Sequence, residues 1–262
     1  YPEGGETVSQ KGLLGQAFAI RGLSYMHLIQ LYQFTVDASG NINSDAPGIP
    51  LMYVSADGKT DEEIAAAKGR NTVKEVFAQI ESDLLKAVEN LEAGYTRPSK
   101  NYVDASVANG FLARYYLLSQ QWEKAAAAAN KARAGYTIME SNASGLYDGF
   151  VTVNNVEWMW GFAHTTETQT AYASFFSMIS NLAPGYAGIG YAPRLIDAKL
   201  YSQIPEDDGR KKWFNGPEGD ASQPTTGAQL PYANIKFGHL SDWTDNYMYM
   251  RAAEMVLIEA EA

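Results

Sequence analysis

The chain has 262 residues, among them 20 basic and 30 acidic residues and no cysteine, and its formal net charge is −10. The lack of cysteine excludes disulfide bonds, thiol catalysis and cysteine metal sites. The acidic balance and the absence of a long basic run argue against nucleic acid as a partner. The length is sufficient to bury one large core or two modest ones.

The first predicted element is a helix from Lys11 to Tyr32, in which apolar residues such as Leu14 and Leu28 recur at helical spacing. We expect this helix to be mostly buried, and its polar residues argue against a membrane-spanning role. Arg21 lies within the apolar surface, where an unpaired charge costs several kcal/mol. The pattern therefore predicts a carboxylate or carbonyl partner for Arg21.

A loop rich in Gly, Asn, Ser and Pro follows, from Asp37 to Pro50. Its oxygen-bearing residues alternate from Asp37 to Asp45 as in a calcium-binding EF-hand loop. The glycine and glutamate that such a loop needs at its sixth and twelfth positions are missing. We therefore favour an ordinary turn-rich connection and keep calcium binding as the alternative.

Three further helical segments have clear signals. Thr72 and Glu75 have capping-box spacing at the start of an amphipathic helix that runs to Leu91. Helices from Val107 to Leu118 and from Trp122 to about Gly135 are separated by a short polar break. Small residues and the short turn favour a tetratricopeptide-like hairpin, which must stack on neighbours to bury its apolar face.

The period changes between residues 136 and 240, where short apolar runs alternate with Gly and Pro. Val156–Phe162 predicts a strand, and Tyr172–Ile179 predicts a short helix. A loop-rich insertion of this length inside a helical scaffold is more often functional than idle.

Enzyme signatures are mostly absent. The three histidines, His27, His164 and His239, lack metal-ligand spacing. Glu206, Asp207 and Asp208 are adjacent, and a solvated charge cluster is a better interpretation than a pair of glycosidase acids. The sequence predicts a protein that is not an enzyme and that has no metal site and no cofactor.

Aromatic residues concentrate in the insertion, and rings with apolar faces and polar edges suit sugar binding. We expect Phe150, Trp158 and Phe176 to belong to the core. Other rings lie among Gly, Pro and charged residues, where local periodicity does not bury them. The predicted ligand-binding residues are therefore Tyr186, Tyr191 and Trp213, followed by Tyr172 and His164.

The last residues, from Asp245 to Ala262, predict a helix with no terminating signal, so we expect the natural chain to continue. Its sequence from Arg251 to Ala262 resembles a helix of the SusD/RagB-type outer-membrane nutrient-binding lipoproteins. Four other segments resemble the same family in the same order: Ala17–Tyr25, Gly48–Leu51, Thr72–Leu91 and Ala108–Ala132.

The resemblance implies a mainly α fold, in which tetratricopeptide-like hairpins form a superhelical scaffold and a loop-rich insertion carries short strands. It implies a single SusD-like domain over residues 1–262, truncated at both ends. Within it, residues 11–135 are the hairpins, 136–240 the ligand-binding insertion, and 241–262 the start of a further helical unit.

The function implied by the resemblance is non-catalytic capture of an oligosaccharide or polysaccharide at the cell surface. The implied partner is a SusC-like TonB-dependent transporter, and the implied location is the outer leaflet of the outer membrane, through a lipid anchor outside this segment. Peptide capture by a RagB-like protein remains an alternative. A tetratricopeptide adaptor for a protein partner and a glycoside hydrolase are less favoured.

Overall fold

The computed structural model of the chain describes residues 6–52, 60–66, 69–140, 148–169 and 171–262. The helices in these ranges are α1 (Val8–Tyr32), α2 (Asp61–Ala66), α3 (Val73–Glu92), α4 (Ala105–Leu118), α5 (Trp122–Arg133), α6 (Phe175–Ile179), α7 (Ala198–Gln203), α8 (Thr226–Gln229) and α9 (Ala252–Glu261). The strands are β1 (Trp158–Phe162) and β2 (Tyr247–Arg251), and short 3-10 helices cover Ala171–Ala173 and Gly209–Trp213. The predicted mainly α fold with short strands is confirmed.

Cα proximity divides the chain into two compact units. The first, which we call the helical unit, comprises Tyr1–Gly135 and Ala253–Ala262. The second, which we call the loop-rich unit, comprises Tyr136–Ala252.

Helix α1 packs against α3, and its buried residues include three glycines, Gly12, Gly15 and Gly22, as well as large apolar side chains such as Phe18 and Ile29. A Cβ added at Gly15 would lie 2.7 Å from Leu91 Cγ, so the two helices approach too closely for a side chain there. The predicted apolar face is confirmed at Phe18 and Tyr25, which are buried, and is wrong at Leu14 and Leu28, which are 37% and 39% exposed. Counting apolar residues does not register the close approach that glycine permits.

The partner predicted for Arg21 is confirmed as Asp83 of α3. Arg21 Nε donates to Asp83 Oδ2 over 2.8 Å, and Nη2 donates to Oδ1 over 2.6 Å. Asp83 is fully buried and also accepts a hydrogen bond from Gln79 Nε2. The bidentate pair therefore joins the first two long helices inside their interface.

The predicted caps and hairpin of the helical unit are also observed. Thr72 and Glu75 form the capping box at the start of α3, with reciprocal side-chain and backbone bonds. Helices α4 and α5 pack against each other, and Ala125, Ala128 and Ala129 of α5 are buried. Small residues thus allow the two backbones of the hairpin to approach, as the sequence predicts.

The loop after α1 forms a compact turn. Asp37 Oδ1 accepts hydrogen bonds from the backbone N–H groups of Ser39 and Asn41, and these bonds lower the pKa of its carboxyl. Gly40 takes a φ of +83°, which favours glycine. The aspartate therefore serves as a turn cap, as expected for an ordinary connection.

The loop-rich unit contains a two-stranded antiparallel sheet in which β1 pairs with β2. Its core includes Met139, Phe150 and Trp158, and Phe176 is also buried, so the three rings assigned to the core are confirmed there. The sequence predicts helix from Asp245 onward, but Tyr247–Arg251 is a strand and the helix begins only at Ala252. Pairing with β1 outweighs the local helical pattern.

We predict that Asp83→Ala lowers the free energy of unfolding by about 3 kcal/mol, because it removes the buried carboxylate that accepts both hydrogen bonds of the bidentate pair with Arg21. Urea denaturation of the full-length protein measures this loss. Glu89→Ala, on the exposed side of α3, is the matched control and should change stability by less than about 0.5 kcal/mol. Equal effects of the two substitutions would contradict the assigned role of the pair.

Candidate functional site

Three of the predicted ligand-binding rings lie side by side in the loop-rich unit, and we call Tyr172, Tyr186 and Tyr191 the tyrosine row. The ring centroids of Tyr172 and Tyr186 are 4.7 Å apart, and those of Tyr186 and Tyr191 are 6.1 Å apart. Tyr172 is 43% exposed and Tyr191 is 80% exposed, whereas Tyr186 between them is half-buried. The row thus presents contiguous aromatic surface to solvent.

The segment that carries Tyr186 is held tightly against α6. The backbone N–H of Tyr186 donates to Ser177 Oγ over 3.1 Å, and that of Ala187 donates to the Ser177 carbonyl over 2.9 Å. A Cβ added at Gly185 would lie 2.6 Å from Ser177 Cα. Glycine is therefore required for this approach, which fixes the backbone that carries the central ring.

A buried asparagine fixes the far end of the same segment. Asn181 is fully buried, and its side chain accepts from the N–H of Arg194 over 2.9 Å and donates to the carbonyls of Arg194 and Asn234. The Thr225 hydroxyl donates to the Asn181 carbonyl. This arrangement, which we call the Asn181 clamp, joins three segments at the base of the loop that carries Tyr186 and Tyr191.

The other two predicted residues have different neighbours. The His164 ring lies 4.7 Å from the Phe162 ring and 4.4 Å from the Tyr247 ring, and its Nδ1 is 2.9 Å from the Thr168 carbonyl oxygen. The Trp213 ring is half-buried, and Lys236 Nζ lies 4.5 Å from its centroid. Both residues contact side chains of the loop-rich unit, and their ligand contact stays a prediction.

The structure also shows an apolar pocket of about 260 Å³ in the loop-rich unit, which we call the aromatic pocket. The pocket is lined by aromatic rings, one thioether group and one amide group: Phe150, Phe175, Phe176, Phe237, Asn246, Tyr247, Met248 and Tyr249. This pocket was not predicted from the sequence, because β2 supplies three of its residues and that segment reads as helix. The alternation of Tyr247, Met248 and Tyr249 is the signal that indicates a strand there.

Lys236 lies over two of the rings that line the aromatic pocket. Its Nζ lies 4.9 Å from the Phe150 centroid and 5.3 Å from the Phe237 centroid. Burial lowers the pKa of the Lys236 ammonium, and the guanidinium of Arg251 lowers it further. Cation–π contact offsets part of this cost, so Lys236 stabilises the packing of the rings.

The acidic cluster after α7 is paired with cations of its own turn. Lys211 Nζ donates to Glu206 Oε1 over 2.5 Å, and Arg210 donates to Asp208. The hydrogen bond from Arg210 is the main reason that the pKa of the Asp208 carboxyl falls to about 2. The Asp208 carboxylate therefore stays ionised at neutral pH, unlike the protonated acid that glycoside hydrolysis needs.

Metal-ligating residues do not converge in the part of the chain that the structure describes, since no group of three or more His, Cys, Asp or Glu side chains lies there at ligand distance. Nor is a helix within these described ranges long and apolar enough to cross a membrane.

The comparisons with known proteins agree with this architecture. Residues 2–117 match the SusD-like family model, which is described as starch-binding and associating with the outer membrane. A SusD-like carbohydrate-binding protein of Bacteroides vulgatus is 28% identical, with a TM-score of 0.74 over 98% of this chain and 52% of that chain. No curated protein matches the sequence.

More distant solved structures share the fold. A SusD superfamily protein of Bacteroides thetaiotaomicron is 19% identical, with a TM-score of 0.70 over 99% of this chain and 56% of that one. A putative sugar-binding protein of Bacteroides vulgatus is 22% identical, with a TM-score of 0.67 over 100% of this chain and 55% of that one. The chain therefore spans about half the length of these structures.

The fold is mainly α, and its likeness to solved SusD-like structures extends over nearly the whole chain. The resemblance noted in the sequence is confirmed: residues 2–117 match the SusD-like family model, and a SusD-like structure shares the fold over 98% of this chain.

We predict that the Asp208 carboxyl titrates at about 2 in NMR spectra of the full-length protein, well below the usual 3.8. Arg210→Gln should return the midpoint towards the usual value, because it removes the main hydrogen bond to the carboxylate. Since the folded-state pKa is lowered, the stabilising contribution of this pair is present above the unfolded pKa and is lost as pH falls towards 2. An unchanged midpoint in Arg210→Gln would contradict this assignment.

Proposed function

We propose that the protein captures oligosaccharide or polysaccharide without catalysis and that the tyrosine row is its contact surface. The observation that carries the proposal is the exposed, contiguous set of rings formed by Tyr172, Tyr186 and Tyr191. Pyranose rings have apolar C–H faces that stack on such rings, while their hydroxyl groups remain available to water and to phenol groups. The family description and the carbohydrate-binding relative support the same ligand class.

The rigidity of the row supports a binding role as well. The segment from Gly185 to Tyr191 is anchored by Ser177 on one side and by the Asn181 clamp at its base. A preorganised surface loses little conformational entropy when it binds, which matters where each stacking contact is weak. We expect modest affinity for a single sugar chain and stronger retention of a repeating polymer.

Delivery to a TonB-dependent SusC-like transporter, from a lipid-anchored position in the outer leaflet, is the second part of the proposal. It is supported by the family description, which includes association with the outer membrane. Co-purification of a transporter with the full-length protein from outer-membrane extracts tests this part. Recovery in the periplasmic fraction without such a transporter would contradict it.

Peptide capture is the second candidate, and the aromatic pocket is the observation that favours it. A cavity of about 260 Å³ lined by Phe and Met side chains has room for one large apolar side chain. Phe175 is 45% exposed at this pocket, so its ring is accessible to a ligand. Phe175→Ala distinguishes the candidates, because it should weaken retention of peptides and leave glycan binding unchanged.

We predict that Tyr191→Ala weakens binding of the best polysaccharide in a screen by roughly fivefold, which corresponds to about 1 kcal/mol of lost stacking. Affinity electrophoresis and calorimetry with the full-length protein measure the effect. Tyr191→Phe keeps the ring and should bind nearly as wild type. Tyr32→Ala removes a ring of α1 that is 69% exposed and is the control.

Two results would contradict the glycan proposal. One is retention of a peptide mixture with no binding to plant, host or microbial polysaccharides. The other is polysaccharide binding that Tyr191→Ala leaves unchanged. Turnover of chromogenic glycosides would contradict the non-catalytic part of the proposal.

A further inference from the structure

The segments that build the tyrosine row contain a single charged residue. Between Glu167 and Asp197 the chain contains one charged residue, Arg194. The segment from Thr225 to Asn234, which hydrogen-bonds to Asn181, Gly188 and Arg194, contains none. The segments that build the row therefore combine aromatic rings with one cation and no carboxylate.

The guanidinium of Arg194 is anchored to α6, the helix that also holds the backbone of Tyr186. Its Nε donates to the Met178 carbonyl over 2.6 Å. The preceding residue of α6, Ser177, holds the backbone of Tyr186 and Ala187. Since consecutive Cα atoms are about 3.8 Å apart, Arg194 and Tyr186 are anchored to adjacent points of one helix.

The remaining donors of this guanidinium are available to a ligand. Arg194 is exposed, and within the described ranges its side chain makes the one bond to Met178 and no ion pair. Its backbone N–H and carbonyl are both fixed by the Asn181 side chain. A planar fork held in this way is suited to a carboxylate, which accepts two parallel hydrogen bonds from an arginine.

We propose that the tyrosine row and Arg194 together form a site for acidic polysaccharides, with a uronate ring stacked on the row and its carboxylate paired with Arg194. This inference rests on the proposed glycan-binding function and adds the ligand's charge to it. The chain's net charge of −10 does not oppose such binding at physiological salt, because charges beyond about 8 Å are largely screened.

The test uses the full-length protein and three uronate polymers: polygalacturonate, alginate and hyaluronate. Each is compared with its methyl-esterified form, which has the same backbone and no carboxylate charge. We expect the acidic form of at least one polymer to bind more tightly than its ester, and added salt to weaken this binding. Neutral glucans and mannans are tested in parallel as polymers without carboxylates.

Arg194→Gln should weaken binding of the acidic polymer by roughly fivefold and leave binding of its ester unchanged. Arg194→Lys keeps the charge but not the fork, and it should recover part of the loss. Lys74→Gln removes an exposed cation of α3 in the helical unit and is the matched control. Tyr191→Ala should weaken both polymer forms, because it removes the stacking surface.

The outcomes separate the two proposals. Binding of neutral or esterified polymers that depends on Tyr191, without preference for the acidic forms, would overturn the acidic-ligand inference and keep the glycan proposal. Equal binding by Arg194→Gln and wild type would also overturn the inference. Failure of every polysaccharide to bind would overturn both proposals together.

Discussion

The site depends on the hydrogen bonds of one buried amide. Asn181 is fully buried, and its side chain satisfies both backbone groups of Arg194 and the carbonyl of Asn234. Buried polar groups that lose such partners cost about 1–3 kcal/mol each, so the clamp is a strong constraint on the surrounding loops. It converts a segment with little regular secondary structure into a fixed support for Tyr186 and Tyr191.

The loop-rich unit contains two aromatic surfaces with different chemistry. The tyrosine row has phenol groups, solvent on its outer rings and a nearby guanidinium, which suits a hydrated ligand with apolar faces. The aromatic pocket is formed mainly by Phe and Met side chains, and Phe150 and Phe176 in its wall are almost fully buried. The pocket therefore suits an apolar group, and the two surfaces separate the glycan and peptide interpretations in experiments.

Local sequence was sufficient for features that depend on neighbouring residues. The capping box of α3, the α4–α5 hairpin and the exposure of Tyr191 among Gly and Pro residues follow from short-range patterns. Features set by distant partners were not predictable in this way. Strand β2 reads as helix until its pairing with β1 is seen, and the role of Asn181 depends on residues far along the chain. The buried glycine face of α1 was missed because hydropathy does not register close helix approach.

The most direct test of the tyrosine row is a crystal structure of the full-length protein with an oligosaccharide identified by screening. The account predicts a pyranose ring stacked on Tyr191 or Tyr186, at the ring spacing of roughly 4.5–7 Å that is typical of aromatic packing. A sugar bound in the aromatic pocket, or on the helical unit, with the tyrosine row free of ligand would contradict it.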